Sequence, residues 1–466
     1  MINIIALILL MIPIVYKQAN EKKGYLYLLF SLYPILPDAF AFELASNLPL
    51  LTVSRIILLI NVLLWIGFDR GRVKLGIRKL ILIFWGINIL LSVVHLLDHT
   101  GEINKLFNIV FHQILLIGVI RRFVTSKEEF VKCLNYMLLG FAVSCCVGVL
   151  QTLFSIDASE PLMQVVRGER IGLNERMGME RARGFCTSPI LFACECGFFI
   201  LIALYLFEYK KKNIYIFAIL LYLVGIILSM SRSAMLGLAA ILVFFLITRY
   251  KTAVGKYLKY IGIALLGLAL VLLIIPDMAT KLIDPIKSSL NVLGMNFSIS
   301  SSFGDNASNP VASRSEQWSL LIYMAQNGNL LLGYGYNAYS RGFLNFYYSG
   351  YSSWDSAQAL DVGFVSVSGE GGIVGLLNYF IFLGGVGWMS FRNKRNGNET
   401  KFNFYKLTIY VVLYYIIMNI ASSCIDTKSF WLFIGLWIVY DEAMRKQKWK
   451  ESSNNEAINC DNVLQS

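Results

Sequence analysis

Apolar runs of membrane-crossing length recur from one end of this chain to the other. They fall at about 2–16, 24–37, 50–68, 79–97, 104–120, 133–154, 189–208, 213–229, 234–248, 258–275, 359–390, 402–420 and 428–442. Runs near ~20 residues match the hydrocarbon thickness of a bilayer, with some tilt. The first two are short, which leaves open whether they are tilted, interfacial or wrongly split. The 466 residues are 57% hydrophobic and only 15% charged, with a mean hydropathy of +0.62. Soluble domains average about 45–50% apolar and about 25% charged residues. The expected fold is therefore all-α: a polytopic integral membrane protein of about 12–13 transmembrane helices with one large extracytoplasmic loop. Ile2 to Tyr16 lacks a basic flank and a small-residue cleavage site, so a retained helix is expected there rather than a signal peptide.

Charge sorts the connectors. Clusters at Lys17/Lys22/Lys23, Arg70/Arg72/Lys74/Arg78/Lys79, Arg121/Arg122/Lys127, Lys210 to Lys212, Arg249/Lys251/Lys256/Lys259, Arg392/Lys394/Arg395 and Arg445/Lys446/Lys448/Lys450 fall on every second loop. By the positive-inside rule these connectors face the cytoplasm, with the C-terminus inside and the N-terminus outside. The net charge of +12 is thus mostly topological. Nucleic-acid binding needs a basic face on a folded domain, and none is evident. The segments that follow are N-terminal transmembrane helices (1–154), an arginine-rich extracytoplasmic loop (155–188), central transmembrane helices (189–275), the large extracytoplasmic loop (276–358), C-terminal transmembrane helices (359–442) and a cytoplasmic tail (443–466).

Two outer segments stand apart. The loop 155–188 holds five arginines (Arg167, Arg170, Arg176, Arg181, Arg183) against Asp157, Glu160, Glu169, Glu175 and Glu180. Positive charge on the outer face runs against the usual bias, and a phosphate-bearing ligand accounts for it, because the guanidinium fork pairs phosphate bidentately. The loop 276–358 is too long for a bare turn and is rich in Ser, Asn, Gly and Tyr. Its aromatics suit stacking on sugar faces, or equally an interfacial belt. The eight cysteines show no metal or redox spacing, and a disulfide among Cys186, Cys194, Cys196 and Cys424 has no support from sequence. His95, His99 and His112 gather near one outer turn without a paired-ligand pattern. No cofactor or metal is expected.

Three segments line up in order: Arg181-x-x-Gly184-Phe-x-x-x-Pro189; Leu228-Ser-Met-Ser-Arg-Ser-Ala-Met-Leu-Gly237; and Ser313-Arg-Ser-Glu-Gln-Trp318 followed by Gly333-Tyr-Gly335, Asp361-Val-Gly-Phe364 and Gly369-Glu-Gly-Gly-Ile-Val-Gly375. In this order the chain resembles the O-antigen polymerase/O-antigen ligase family of bacterial surface-polysaccharide assembly, over about residues 50–440. The resemblance implies a metal-independent glycosyltransferase of the bacterial cytoplasmic membrane that uses a polyprenyl-diphosphate-linked oligosaccharide. It implies surrounding membrane lipid, with a chain-length regulator and a flippase as partners. A polymerase joins such repeat units to one another, and a ligase passes the glycan to another acceptor. Ligases of the family carry a histidine where the large loop enters the next span. The matching position here is Asp361, and no histidine occurs in 276–358, which favours the polymerase branch.

The residues lead to the same chemistry. Displacing polyprenyl diphosphate from an anomeric carbon builds negative charge on the leaving oxygen, which outward arginines stabilise most in the transition state. Arg181 and Arg183 precede Pro189, a residue suited to a helix's first turn. Arg232 sits at the mouth of a span, where an arginine costs about 2.5–3.5 kcal/mol and so has a task or a partner; pairing with Glu195 is the structural alternative. The resemblance carries Arg314 over as a further diphosphate contact. The acceptor hydroxyl needs a base, for which Asp361, Glu370 and Glu195 are the candidates in that order. Gly333 and Gly335 read as a tight turn rather than a phosphate loop. A lipid-linked oligosaccharide flippase is the competing class, although it does not call for an outer loop of this length and no internal repeat is visible. A cell-wall glycosyltransferase of the elongation and division type matches the motifs less well.

Overall fold

The computed structural model describes residues 24–37, 41–42, 50–68, 78–97, 101–157, 175–176, 179–245, 317–336, 362–394, 402–424 and 427–445, with Ser159, Thr248 and Lys287. Among them the protein is helical, with two antiparallel ladders of two residues a strand: β1 (Ala41–Phe42) with β2 (Leu51–Thr52), and β3 (Glu175–Arg176) with β4 (Met179–Glu180). The helices before the arginine loop are α1 (Gly24–Leu32), α2 (Val53–Phe68), α3 (Lys79–Leu96), α4 (Glu102–Asn108), the π-helix π1 (Ile109–Leu115), α5 (Leu116–Phe123) and α6 (Lys127–Phe154). After it come α7 (Pro189–Lys210), α8 (Ile214–Leu228), α9 (Arg232–Phe245), α10 (Ser319–Gln326), α11 (Gly363–Asn393), α12 (Phe404–Ala421) and α13 (Lys428–Arg445). Five segments among the described residues are long and apolar enough to cross a membrane: α3, the continuous α4–π1–α5 helix, α6, α7 and α11. The chain is a multi-pass α-helical membrane protein. The spans expected at 2–16 and 258–275 lie outside the described residues.

Local chemistry sets most helix ends. Ser126 caps α6 in a capping box, accepting from the Glu129 N–H while the Glu129 carboxylate accepts from the Ser126 N–H. Helix α6 thereby starts at Lys127, six residues before the expected span. Pro189 is the first residue of α7 behind a Ser188 cap that accepts from the Leu191 N–H. Helix α7 carries Glu195, Glu208 and Lys210 but no polar face, which fits an interior place, and it is the central helix, packed by α6, α8 and α12.

Helix α11 departs from expectation. The span read as continuous over 359–390 is two helices joined at Gly372, with φ 63° and ψ −159°. A side chain cannot sit there: a Cβ would lie 2.2 Å from the Leu331 carbonyl oxygen, and the φ itself is strained for L-residues. The break opens backbone groups that the segment after α10 satisfies. Ile373 and Val374 N–H donate to the Leu330 and Leu331 carbonyls, and Tyr334 and Gly335 N–H donate to the Gly369 and Glu370 carbonyls. A helix can be broken at membrane depth only where protein takes up the freed groups.

The connectors meet by side. Arg78, Arg121, Asn393 and Tyr405 converge on Asp441 and Glu442 at one end, while Leu36, His95, Glu102, Ser229, Ser422 and Lys428 take part in contacts at the other. Asp441 is 1% exposed and accepts from Arg78, Arg445, Asn393 and Tyr405. Truncating one member of a buried ion pair leaves an uncompensated charge, at a cost of about 3–5 kcal/mol. Asp441→Ala is therefore expected to lower the thermal unfolding midpoint in detergent sharply, whereas Lys211→Ala, whose partner Glu208 lies at 3.5 Å beside a largely exposed lysine, leaves it in place. An unchanged midpoint in Asp441→Ala would show that the network adds nothing to stability.

Candidate functional site

The arginine loop reaches the bundle through a clamp. Gln151, at the end of α6, accepts from the Arg183 and Gly184 N–H groups at 3.2 and 2.9 Å and donates to the Gly184 carbonyl and to Asp157. Arg183 is 1% exposed and pairs Asp157 at 2.8 Å. Gly184 has φ 55° and lies so close to α6 that a Cβ would stand 2.4 Å from the Ser144 carbonyl oxygen, which explains the glycine of the first motif. Desolvation works to raise the Asp157 carboxyl, but hydrogen bonds from Ser159, Gln151 and Arg183 and the Arg183 charge outweigh it and hold the group below its ordinary value. The clamp's contribution is thus complete above the ordinary carboxylate range and lost only as pH falls through the depressed value.

That clamp aims Arg181 at a second motif. Arg181 Nε donates to the Ser229 carbonyl at 2.8 Å, and the Ala182 N–H donates to the Leu228 carbonyl at 3.0 Å. The α8–α9 corner there is sharp, with Met230 in the left-handed region at φ 53° and Ser231 N–H bonded to Ser229 Oγ. Arg232, half-buried, opens α9 out of the same corner. The structure therefore brings Arg181 and Arg232 from separate motifs to one place. Ser233 Oγ lies 2.7 Å from Ser422 Oγ, which ties the corner to the end of α12.

The three candidate bases occupy different settings. Asp361 and Arg314 lie outside the described residues, as do Arg167 and Arg170. The neighbour of Asp361, Val362, donates its N–H to Gln317 Oε1 at 2.9 Å, and Gly363 packs against Asn419, one turn of α12 before Ser422. Glu195 is 4% exposed, sits beside Thr427 and Ser429, and lines a cavity of about 230 Å³ with Cys186, Thr187 and Lys428. Glu370 lines a separate cavity of about 290 Å³ and pairs Lys105 at 3.4 Å. Lys428 belongs to both walls and donates to the Leu36 carbonyl at 2.6 Å. The seven described cysteines are free thiols.

Sequence reasoning passed over Arg55, Lys105 and Lys428. All three are cations at the end assigned to the outer face, the same signal that marked the arginine loop. His95 and His112, read as a cluster, have separate contacts: His95 Nε2 donates to the Leu332 carbonyl, and His112 lies between Tyr33 and Arg55. The segment after α10 turns at Gly333 and Gly335, both at positive φ, and is pinned where the Tyr336 N–H donates to Glu102.

A broken helix, an arginine corner and polar cavities thus lie among the described residues of a multi-pass membrane protein. Residues 217–380 match the family described as O-antigen ligase, so this stretch of the chain is similar to that family. The match takes in Arg232, Arg314, Asp361 and Glu370 and begins beyond Arg181, Arg183 and Glu195. None of the curated proteins matches the chain.

Proposed function

We propose that the chain is a glycosyltransferase that joins polyprenyl-diphosphate-linked oligosaccharide repeat units into a surface polysaccharide, an O-antigen, capsule or exopolysaccharide, on the outer face of the bacterial cytoplasmic membrane. The observation that carries this reading is the convergence of Arg181 and Arg232 at the Leu228–Ser233 corner. In the reaction, an acceptor hydroxyl oxygen attacks the anomeric carbon of the donor. The bond from that carbon to the diphosphate oxygen breaks, its electron pair stays on the diphosphate, and the hydroxyl proton passes to a carboxylate. Arg181 and Arg232 stabilise the departing diphosphate, with Arg314 as a further contact, while Arg183 holds the loop through Asp157. These fixed cations supply charge that a divalent ion supplies elsewhere in diphosphate chemistry, so the reaction is assigned no metal. Asp361 is the proposed base, and the absence of histidine in 276–358 supports repeat-unit polymerisation over ligation.

The test uses the full chain in proteoliposomes with lipid-linked repeat unit as sole substrate, in chelator and without nucleotide. Lengthened glycan on the lipid is the expected product. Transfer only after a different acceptor lipid is added would make the chain a ligase. Movement of the lipid across the bilayer without lengthening would make it a transporter and end the polymerase reading.

A further inference from the structure

The cavity of about 290 Å³ has no part in the diphosphate chemistry above. It lies between α3, the α4–π1 segment, α11 and α13, the first three of them parts of membrane-crossing helices, yet about half of its wall is polar. Gln113 on π1 lines it at 5% exposure, and its side-chain Oε1 has no hydrogen-bond partner among the described residues. An unsatisfied buried amide costs about 1–3 kcal/mol, a cost that a donor reaching this wall would relieve. Asn108, one turn earlier, accepts from Arg55 Nη2 at 2.6 Å through its carbonyl, and its NH₂ is thereby left as the donor end. The remaining polar wall adds Ser366, the Glu370–Lys105 pair and Lys428. The aromatic part is Phe84, Tyr379 and Trp431, with Phe84 5.8 Å from Trp431 and 6.5 Å from Tyr379 between ring centroids. The π-helix that carries Gln113 is a form found frequently at functional sites.

Directed donors and acceptors beside aromatic side chains are the recognition chemistry of a pyranose. A diphosphate suits the cavity poorly, since Lys105 is paired with Glu370 and Lys428 donates to Leu36. Its volume sits at the low end of the ~300–1,000 Å³ range of small-molecule sites, right for one sugar residue. Ser423 lines it, and the adjacent Ser422 bonds Ser233 beside Arg232. We propose that this cavity is a sugar subsite that seats the terminal pyranose of the acceptor glycan next to the arginine corner. The proposal rests on the reading that glycan is the substrate.

Two probes separate the subsites in titrations of the full-length protein in detergent: the repeat-unit oligosaccharide released from its lipid by mild acid, and sugar-free undecaprenyl diphosphate. Gln113→Leu is expected to weaken oligosaccharide binding at least tenfold and leave the diphosphate probe within twofold. Arg232→Ala is expected to do the reverse. A Ser366→Cys protein provides a second measurement in an otherwise intact wall: the oligosaccharide should slow its labelling by a small methanethiosulfonate, and undecaprenyl diphosphate should not. No oligosaccharide binding by wild type, equal loss of both probes in Gln113→Leu, or absence of protection at Cys in place of Ser366 would each overturn the subsite. Gln113-dependent binding by a protein that forms no polymer would keep the subsite and sink the polymerase reading instead.

Discussion

Arg181→Ala and Arg232→Ala are each expected to abolish long glycan while lipid-linked single repeats accumulate and the protein stays in the membrane. The reason is positional. Arg181 reaches Ser229 from a loop held by the Gln151 and Asp157 clamp, and Arg232 opens α9 three residues on. A fixed donor aimed at charge that develops in the transition state is worth about 10²–10³ in turnover. Arg→Lys at either position should recover only part of the activity, because a point charge cannot reproduce the bidentate fork. Arg183→Ala should differ in kind: it strands Asp157, so the amount of folded protein falls along with the product. Gel profiles of glycan length, read beside membrane abundance, separate the two effects. Wild-type chain length from both Arg181→Ala and Arg232→Ala at normal abundance would remove the corner from the site.

The parts of the fold legible in the sequence are those decided locally. The Ser188–Pro189 start of α7 is capping chemistry written in consecutive residues, and the burial of α7 follows from its lack of any polar face. The break in α11 was not legible, although Gly369-Glu-Gly-Gly372 is plain to see. Hydropathy averages across it, and the groups that satisfy it come from Leu330 to Gly335, some forty residues earlier. The π-turn at Ile109–Leu115 is likewise invisible to a periodicity of apolar residues.

The site divides in the same way. Arg181 and Arg183 were marked by charge on the face expected to be outside and Arg232 by its place at the mouth of a span, yet only coordinates distinguish the clamped Arg183 from its neighbours. The same charge argument applied to single residues would have found Lys105 and Lys428. Gln113 had no such signal, because an amide in an apolar run says nothing until the cavity beside it is known.

Asp361→Asn is the substitution expected to separate chemistry from binding. Asparagine keeps the shape and cannot take the acceptor proton, and loss of a positioned general base lowers turnover by about 10²–10⁴. The position is favoured by its neighbours. Gly363, two residues on, packs against Asn419, and Ser422, just past the end of the same helix, bonds the serine that follows Arg232. Glu370 is instead engaged with Lys105, in the cavity assigned to sugar, and Glu195 is enclosed beside Thr427 and Ser429. With purified protein and lipid-linked repeat alone, Asp361→Asn should bind substrate as wild type does and form almost no polymer. Glu370→Gln should chiefly raise KM for the repeat unit while kcat falls far less, and Glu195→Gln should be judged by folded yield before activity. Equal kcat in wild type and Asp361→Asn would move proton transfer to one of the other two carboxylates; the one whose Gln variant then loses kcat at unchanged KM is the base.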